Sequence, residues 1–127
     1  MGSRAAKLKL GYAQKYDYFT VLKIGTINVQ KPVGKASRLR FPKVSTTANA
    51  LYAYLGSNKA LKSIVYYDQQ KKKSLQIDVD HNHSAVDAHV HILEDSKRTD
   101  DLRELSSDEI LLVERIQEAL EENADRL

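Results

Sequence analysis

The chain contains no cysteine, which excludes disulfides and thiolate metal ligands and makes a reducing compartment the expected one. It also lacks any run approaching the ~20 consecutive apolar residues that a membrane span needs, because charges interrupt every apolar stretch. With no recognisable leader sequence, the expectation is a cytoplasmic protein with no membrane partner. No internal repeat or long low-complexity tract is visible. Acidic side chains are nearly missing from residues 1–75, where Asp17 and Asp68 face 15 Lys and Arg residues, a balance of +13. Residues 76–127 reverse this, with 5 basic and 15 acidic side chains, a balance of −10. Two readings fit: a basic surface for phosphate or nucleic acid, or a basic half neutralised by an acidic C-terminal helix folded against it.

What is present suffices for one modest core: 127 residues, 42% of them hydrophobic, the usual size of a single domain. Residues 1–17 are basic and without amphipathic period, and read as a loosely held arm before one domain at 18–127. Tyr18 to Val29 is rich in β-branched and aromatic residues and reads as strand, with Gly25 as a bend or bulge. The chain turns at Lys31–Lys35, and residues 37–42 alternate as a short edge strand stopped by Pro42. Ala48, Leu51, Tyr52 and Leu55 have the 3–4 spacing of a helix over 46–55, capped by Ser45 or Thr46. Strands follow near 62–68, 74–81 and 88–93, then a charged linker from Glu94 to Leu105. Ser106 and Glu109 form a capping-box pattern opening a second helix over 107–122, with Leu112, Val113, Ile116, Ala119 and Leu120 as its buried stripe. The fold class expected is α+β: a small antiparallel β-meander packed with two helices, one of them C-terminal.

All four histidines of the chain, His81, His83, His89 and His91, fall between positions 81 and 91. Residues two apart on a strand share a face, so each His-x-His pair can aim both imidazoles one way. Two hairpin registers compete. If His83 lies opposite His89, then His81 lies opposite His91, and four rings crowd one face as a metal-binding patch for Zn or a similar divalent ion. Shifted by one residue, Asp80 faces His91 and Asn82 faces His89. Leu75, Ile77 and Val79 then share the core face with Val90 and Ile92, while Asp78, Asp80, His89 and His91 share the other. A one-residue slip exchanges every side chain between faces, and the second register groups the aliphatic residues better. His89 and His91 belong to the site in both. The hypothetical metal set is His81, His83, His89, His91 and Asp78.

Asp87-Ala88-His89-Val90-His91 resembles the Asp-x-His-x-His metal motif of amidohydrolases, but that family builds its site in a barrel of ~250 residues, twice this chain. His89 to Ile92 resembles the start of the histidine-triad hydrolase motif, whose third position is here Leu93. The stretch from Lys62 to Leu120 carries, in order, a Tyr67-Asp68 strand end, a polar turn, an Ile77-to-His81 strand of Ile-Asp-x-Asp-His pattern, the His89-to-His91 strand, and a helix entered through Ser107-Asp108-Glu109. In that order it resembles the small C-terminal modules of bacterial polymorphic toxins and phage minor head proteins. The resemblance implies a toxin-like or mobile-element protein with the activity of a nuclease.

The function expected is phosphodiester cleavage of the RNase kind. His89 or His91 would act as general base or acid, His83 would stand beside them, Asp80 would orient a partner imidazole, and Arg38, Arg40 and Lys43 would hold phosphate of RNA or another phosphate-bearing ligand. Water activated by a bound metal and a metal-free histidine mechanism both fit these residues. The alternative is a noncatalytic phage or mobile-element module with a structural metal, whose Glu-rich C-terminal helix contacts a protein partner or a second copy of the chain.

Overall fold

Residues 18–33, 41–56, 58–79, 88–94 and 97–127 are described by a computed structural model. The β-branched and aromatic run near the start does form strand, but as a hairpin: β1 (Tyr18–Ile24) turns back into β2 (Ile27–Pro32). Gly25 and Thr26 make the two-residue loop between the paired Ile24 and Ile27. Gly25 has φ +61°, the left-handed conformation that glycine adopts without steric cost at such a turn. The next strand, β3 (Leu51–Leu55), runs parallel to β2. Parallel neighbours need a crossover, whose described residues here are 33 and 41–50.

β3 replaces the C-terminal part of the helix expected over 46–55. Leu51-Tyr52-Ala53-Tyr54-Leu55 is apolar at every position because it is a central strand: Ala53 and Leu55 point into one core cluster and Tyr54 into another. An unbroken apolar run of this kind contains helical spacing by accident. Left-handed Asn49 (φ 55°) turns the chain just before it.

From β3 onward the sheet is an antiparallel meander: β4 (Leu61–Tyr67), β5 (Lys73–Asp78), β6 (His89–Glu94) and β7 (Lys97–Arg103). The strand order among the described residues is β1-β2-β3-β4-β5-β6-β7. The charged segment expected as a linker is therefore the edge strand β7. It pairs with β6 alone, and its Lys, Arg and Asp content is what keeps a sheet edge from recruiting another strand.

Helix α1 (Ser107–Glu122) follows the sequence pattern closely. The Ser106 hydroxyl accepts from the Glu109 amide while the Glu109 carboxylate accepts from the Ser106 amide, a full capping box. Val113, Ile116 and Leu120 are buried against Ile27, Val29, Ala53, Leu55, Ile64, Ile77 and Val90 on one sheet face. Each fully buried aliphatic side chain there contributes about 1.5–3 kcal/mol relative to exposure. The fold is thus α+β, with a mixed, mostly antiparallel sheet and, among the described residues, one α-helix. None of the helices described is long and apolar enough to cross a membrane.

The sheet's other face carries a second, aromatic core of Tyr18, Ala50, Tyr54, Val65 and Tyr67, with Phe41 and Tyr52 packed against it. The crossover seats Phe41 flat on Tyr54, ring centroids 4.3 Å apart. Tyr67 donates its hydroxyl proton to the Pro42 carbonyl at 2.6 Å. The 3.2 Å contact between the Tyr54 and Tyr67 hydroxyls must therefore be donated by Tyr54.

Candidate metal centre

The two strands that carry the site are oriented by their aliphatic residues. Ile77 of β5 and Val90 of β6 pair directly and bury themselves on the α1 side. Alternation then forces Gln76 and Asp78, and opposite them His91 and His89, onto the other face. The face grouping is that of the second of the two registers expected from sequence, with Leu75, Ile77 and Val79 beside Val90 and Ile92. The partners differ: Asp78 lies opposite His89 and Gln76 opposite His91, where Asn82 and Asp80 were expected. The displacement along β5 is four residues, an even number that leaves every side chain on its face, so burial alone does not discriminate between the two. His81 and His83, which the four-ring patch requires, lie outside the described residues.

Asp78 is the hub. Its Oδ2 lies 2.9 Å from His91 Nε2 and 3.9 Å from His89 Nε2. Its Oδ1 accepts from the Ser63 hydroxyl and from Gln76 Nε2, both at 2.8 Å. Ser63 reaches it because β4 and β5 place Ser63 directly opposite Asp78. The two imidazoles stand edge to face, centroids 4.9 Å apart. Exposure grades across the site: the His91 side chain is 16% exposed, Asp78 25% and His89 46%. The site is a margin where buried sheet meets solvent.

One ligand atom from each of Asp78, His89 and His91 lies within 4.8 Å of the others. Bonds of ~2.0–2.2 Å to one ion separate neighbouring ligand atoms by roughly 3.0–3.4 Å. The pair formed by Asp78 and His91 already falls close to that spacing, and His89, 3.9 Å from Asp78 in a set spread over up to 4.8 Å, must move in by roughly 0.5–1.8 Å. Two imidazole nitrogens and one carboxylate oxygen suit Zn, Fe(II), Co or Ni better than Ca or Mg, which take oxygen sets. The Ser63 proton is directed to a carboxylate and not to an imidazole, so this is not a histidine-activated serine nucleophile.

Of the residues singled out from sequence, Asp78, His89 and His91 come together. Asp80, His81, His83, Arg38 and Arg40, and the arm at 1–17, lie outside the described residues. Lys43 is exposed beside the opposite end of β5, where its carbonyl accepts from the Lys73 amide at 3.0 Å. Five residues of strand separate Lys73 from Asp78, roughly 17 Å. Sequence reasoning missed Ser63 and Gln76, which are only 2% and 5% exposed. A single small polar residue between Leu61 and Ile64-Val65, and an amide between Leu75 and Ile77, were the available signals, since buried polar groups require partners.

No protein-family model matches the chain, and neither does any curated protein or solved structure.

Proposed function

We propose that this domain binds one divalent transition-metal ion through Asp78 Oδ2 and the Nε2 atoms of His89 and His91, and uses it to hydrolyse a phosphodiester, RNA being the substrate class. The observation that carries the reading is the convergence of three ligand atoms within 4.8 Å on one sheet face. Structural zinc sites are closed by four protein ligands, whereas the three found among the described residues leave a position for water. The ion's contribution would be a bound water of lowered pKa at that position. Asp78 and the two imidazoles supply the ligand field, and the exposed His89 edge gives a substrate access. The excess of basic side chains in residues 1–75 supports an anionic substrate, and Lys43, bonded to Lys73 at the far end of β5, roughly 17 Å of strand from Asp78, suits a polymer.

The test is metal content of tag-free protein together with RNA cleavage before and after EDTA. One ion per chain, cleavage lost on chelation and restored by Zn²⁺ or Co²⁺, and neither property in His89→Ala or His91→Ala, are the expected results. A bound ion without cleavage refutes the hydrolase and leaves a noncatalytic metal-bearing module. Absence of both refutes the site.

A further inference from the structure

We infer that Ser63 and Gln76 are positioning residues that hold Asp78 as a one-oxygen ligand, and so set the affinity and coordination number of the ion. The inference rests on the metal-binding reading above and concerns what surrounds the ligands. A carboxylate oxygen offers about two acceptor positions. Both positions of Asp78 Oδ1 are taken, by the Ser63 hydroxyl and the Gln76 amide at 2.8 Å each. Both donors stand on strands of the sheet interior, Ser63 directly across from Asp78 on β4 and Gln76 two residues away on β5.

Their burial makes the arrangement stiff. For Asp78 to chelate with both oxygens, Oδ1 would have to leave these donors. With Ser63 2% exposed and Gln76 5% exposed, water is poorly placed to replace the lost bonds, and an unsatisfied buried polar group is costly. Oδ2 remains the oxygen that faces His89 and His91, at 3.9 and 2.9 Å. A one-oxygen carboxylate keeps the coordination number low and leaves space for water. Hydrogen-bonded partners behind a ligand typically change metal affinity 10–100-fold when removed.

The experiment titrates Co²⁺, whose visible bands report coordination, into the full tag-free chain and into Ser63→Ala, Gln76→Met and Ser63→Thr, with thermal melts to establish that each is folded. Ser63→Ala and Gln76→Met should each weaken Co²⁺ binding by about 10–100-fold. Their bands should lose intensity and shift as Asp78 gains freedom to bind through both oxygens. Ser63→Thr keeps the hydroxyl and should keep the parent spectrum. Gln76→Met carries the test if Ser63→Ala does not fold. Parent-like affinity and spectrum in a folded Ser63→Ala or Gln76→Met overturn the positioning role alone. Weaker binding with the parent spectrum overturns the one-oxygen assignment. A parent chain that binds no Co²⁺ overturns the metal reading and this inference together.

Discussion

Val90→Ala and His91→Ala probe neighbouring residues of one strand that face opposite sides of the sheet, so they separate core from chemistry. Val90 is 0% exposed, packed in the same cluster as Ile77, Val113 and Ile116. Truncation removes two carbons' worth of buried apolar surface, about 1.6 kcal/mol at ~0.8 kcal/mol per group. With any residual cavity under α1 included, the total cost is roughly 1.5–3 kcal/mol. At ~2.1 cal/mol/K of unfolding entropy per residue, a chain of this length should lose roughly 6–11 °C in Tm. Val90→Ala should leave Zn²⁺ binding unchanged, because its side chain points away from Asp78. His91→Ala should do the reverse: stability within about 1 kcal/mol of the parent and no ion bound. Paired thermal melts and Zn²⁺ titrations read both axes. If His91→Ala unfolds the protein while Val90→Ala is silent, the faces have been assigned the wrong way round.

Two further perturbations follow from the helix cap and the aromatic core. Arg103 donates two hydrogen bonds to the Glu109 carboxylate, at 2.7 and 2.8 Å, and with the Ser106 amide it pulls the Glu109 pKa from an ordinary 4.5 down to about 2. A folded pKa below the unfolded value gives stabilisation that is present above pH 4.5 and lost as pH falls toward 2. Because the Arg103 side chain is 44% exposed, solvent screening limits the contribution to about 1 kcal/mol. Urea melts should show Glu109→Gln weaker than the parent at pH 7 and the difference vanishing near pH 2. Tyr67→Phe deletes the proton given to Pro42 and the acceptor used by Tyr54, stranding the buried Tyr54 hydroxyl and the part-buried Pro42 carbonyl at a cost of about 1–3 kcal/mol. Tyr54→Phe removes only a donor at the end of that chain and should cost less; equal losses would contradict the donor order.

How far the sequence could be read depends on whether an element's signal is local. Helix α1 is legible because its cap, its first-turn acids and its 3–4 stripe are all near neighbours in sequence. β4, β5 and β6 are legible from short β-branched or alternating runs between polar loops. β3 is not, since Leu51 to Leu55 is buried on both faces and so carries no period of two. β7 is not either, because an edge strand of Lys, Arg, Thr and Asp has little apolar pattern to show. The site divides in the same way. That His89 and His91 share a face is fixed by alternation, and the burial of Ile77 and Val90 selects which face. Which residue of β5 stands opposite His89 is decided only modulo two, so Asp78 and Asp80 are equivalent until the pairing is seen. Ser63 joins the site through a cross-strand contact fifteen residues away, which no local spacing encodes.

The most direct measurement of the central claim is X-ray absorption at the zinc edge of the reconstituted, tag-free chain. The account predicts a first shell of nitrogen and oxygen at ~2.0–2.1 Å with outer-shell scattering from two imidazoles, and no bound zinc in His89→Ala. A spectrum without imidazole scattering, or one unaltered by replacing either His89 or His91, would contradict it.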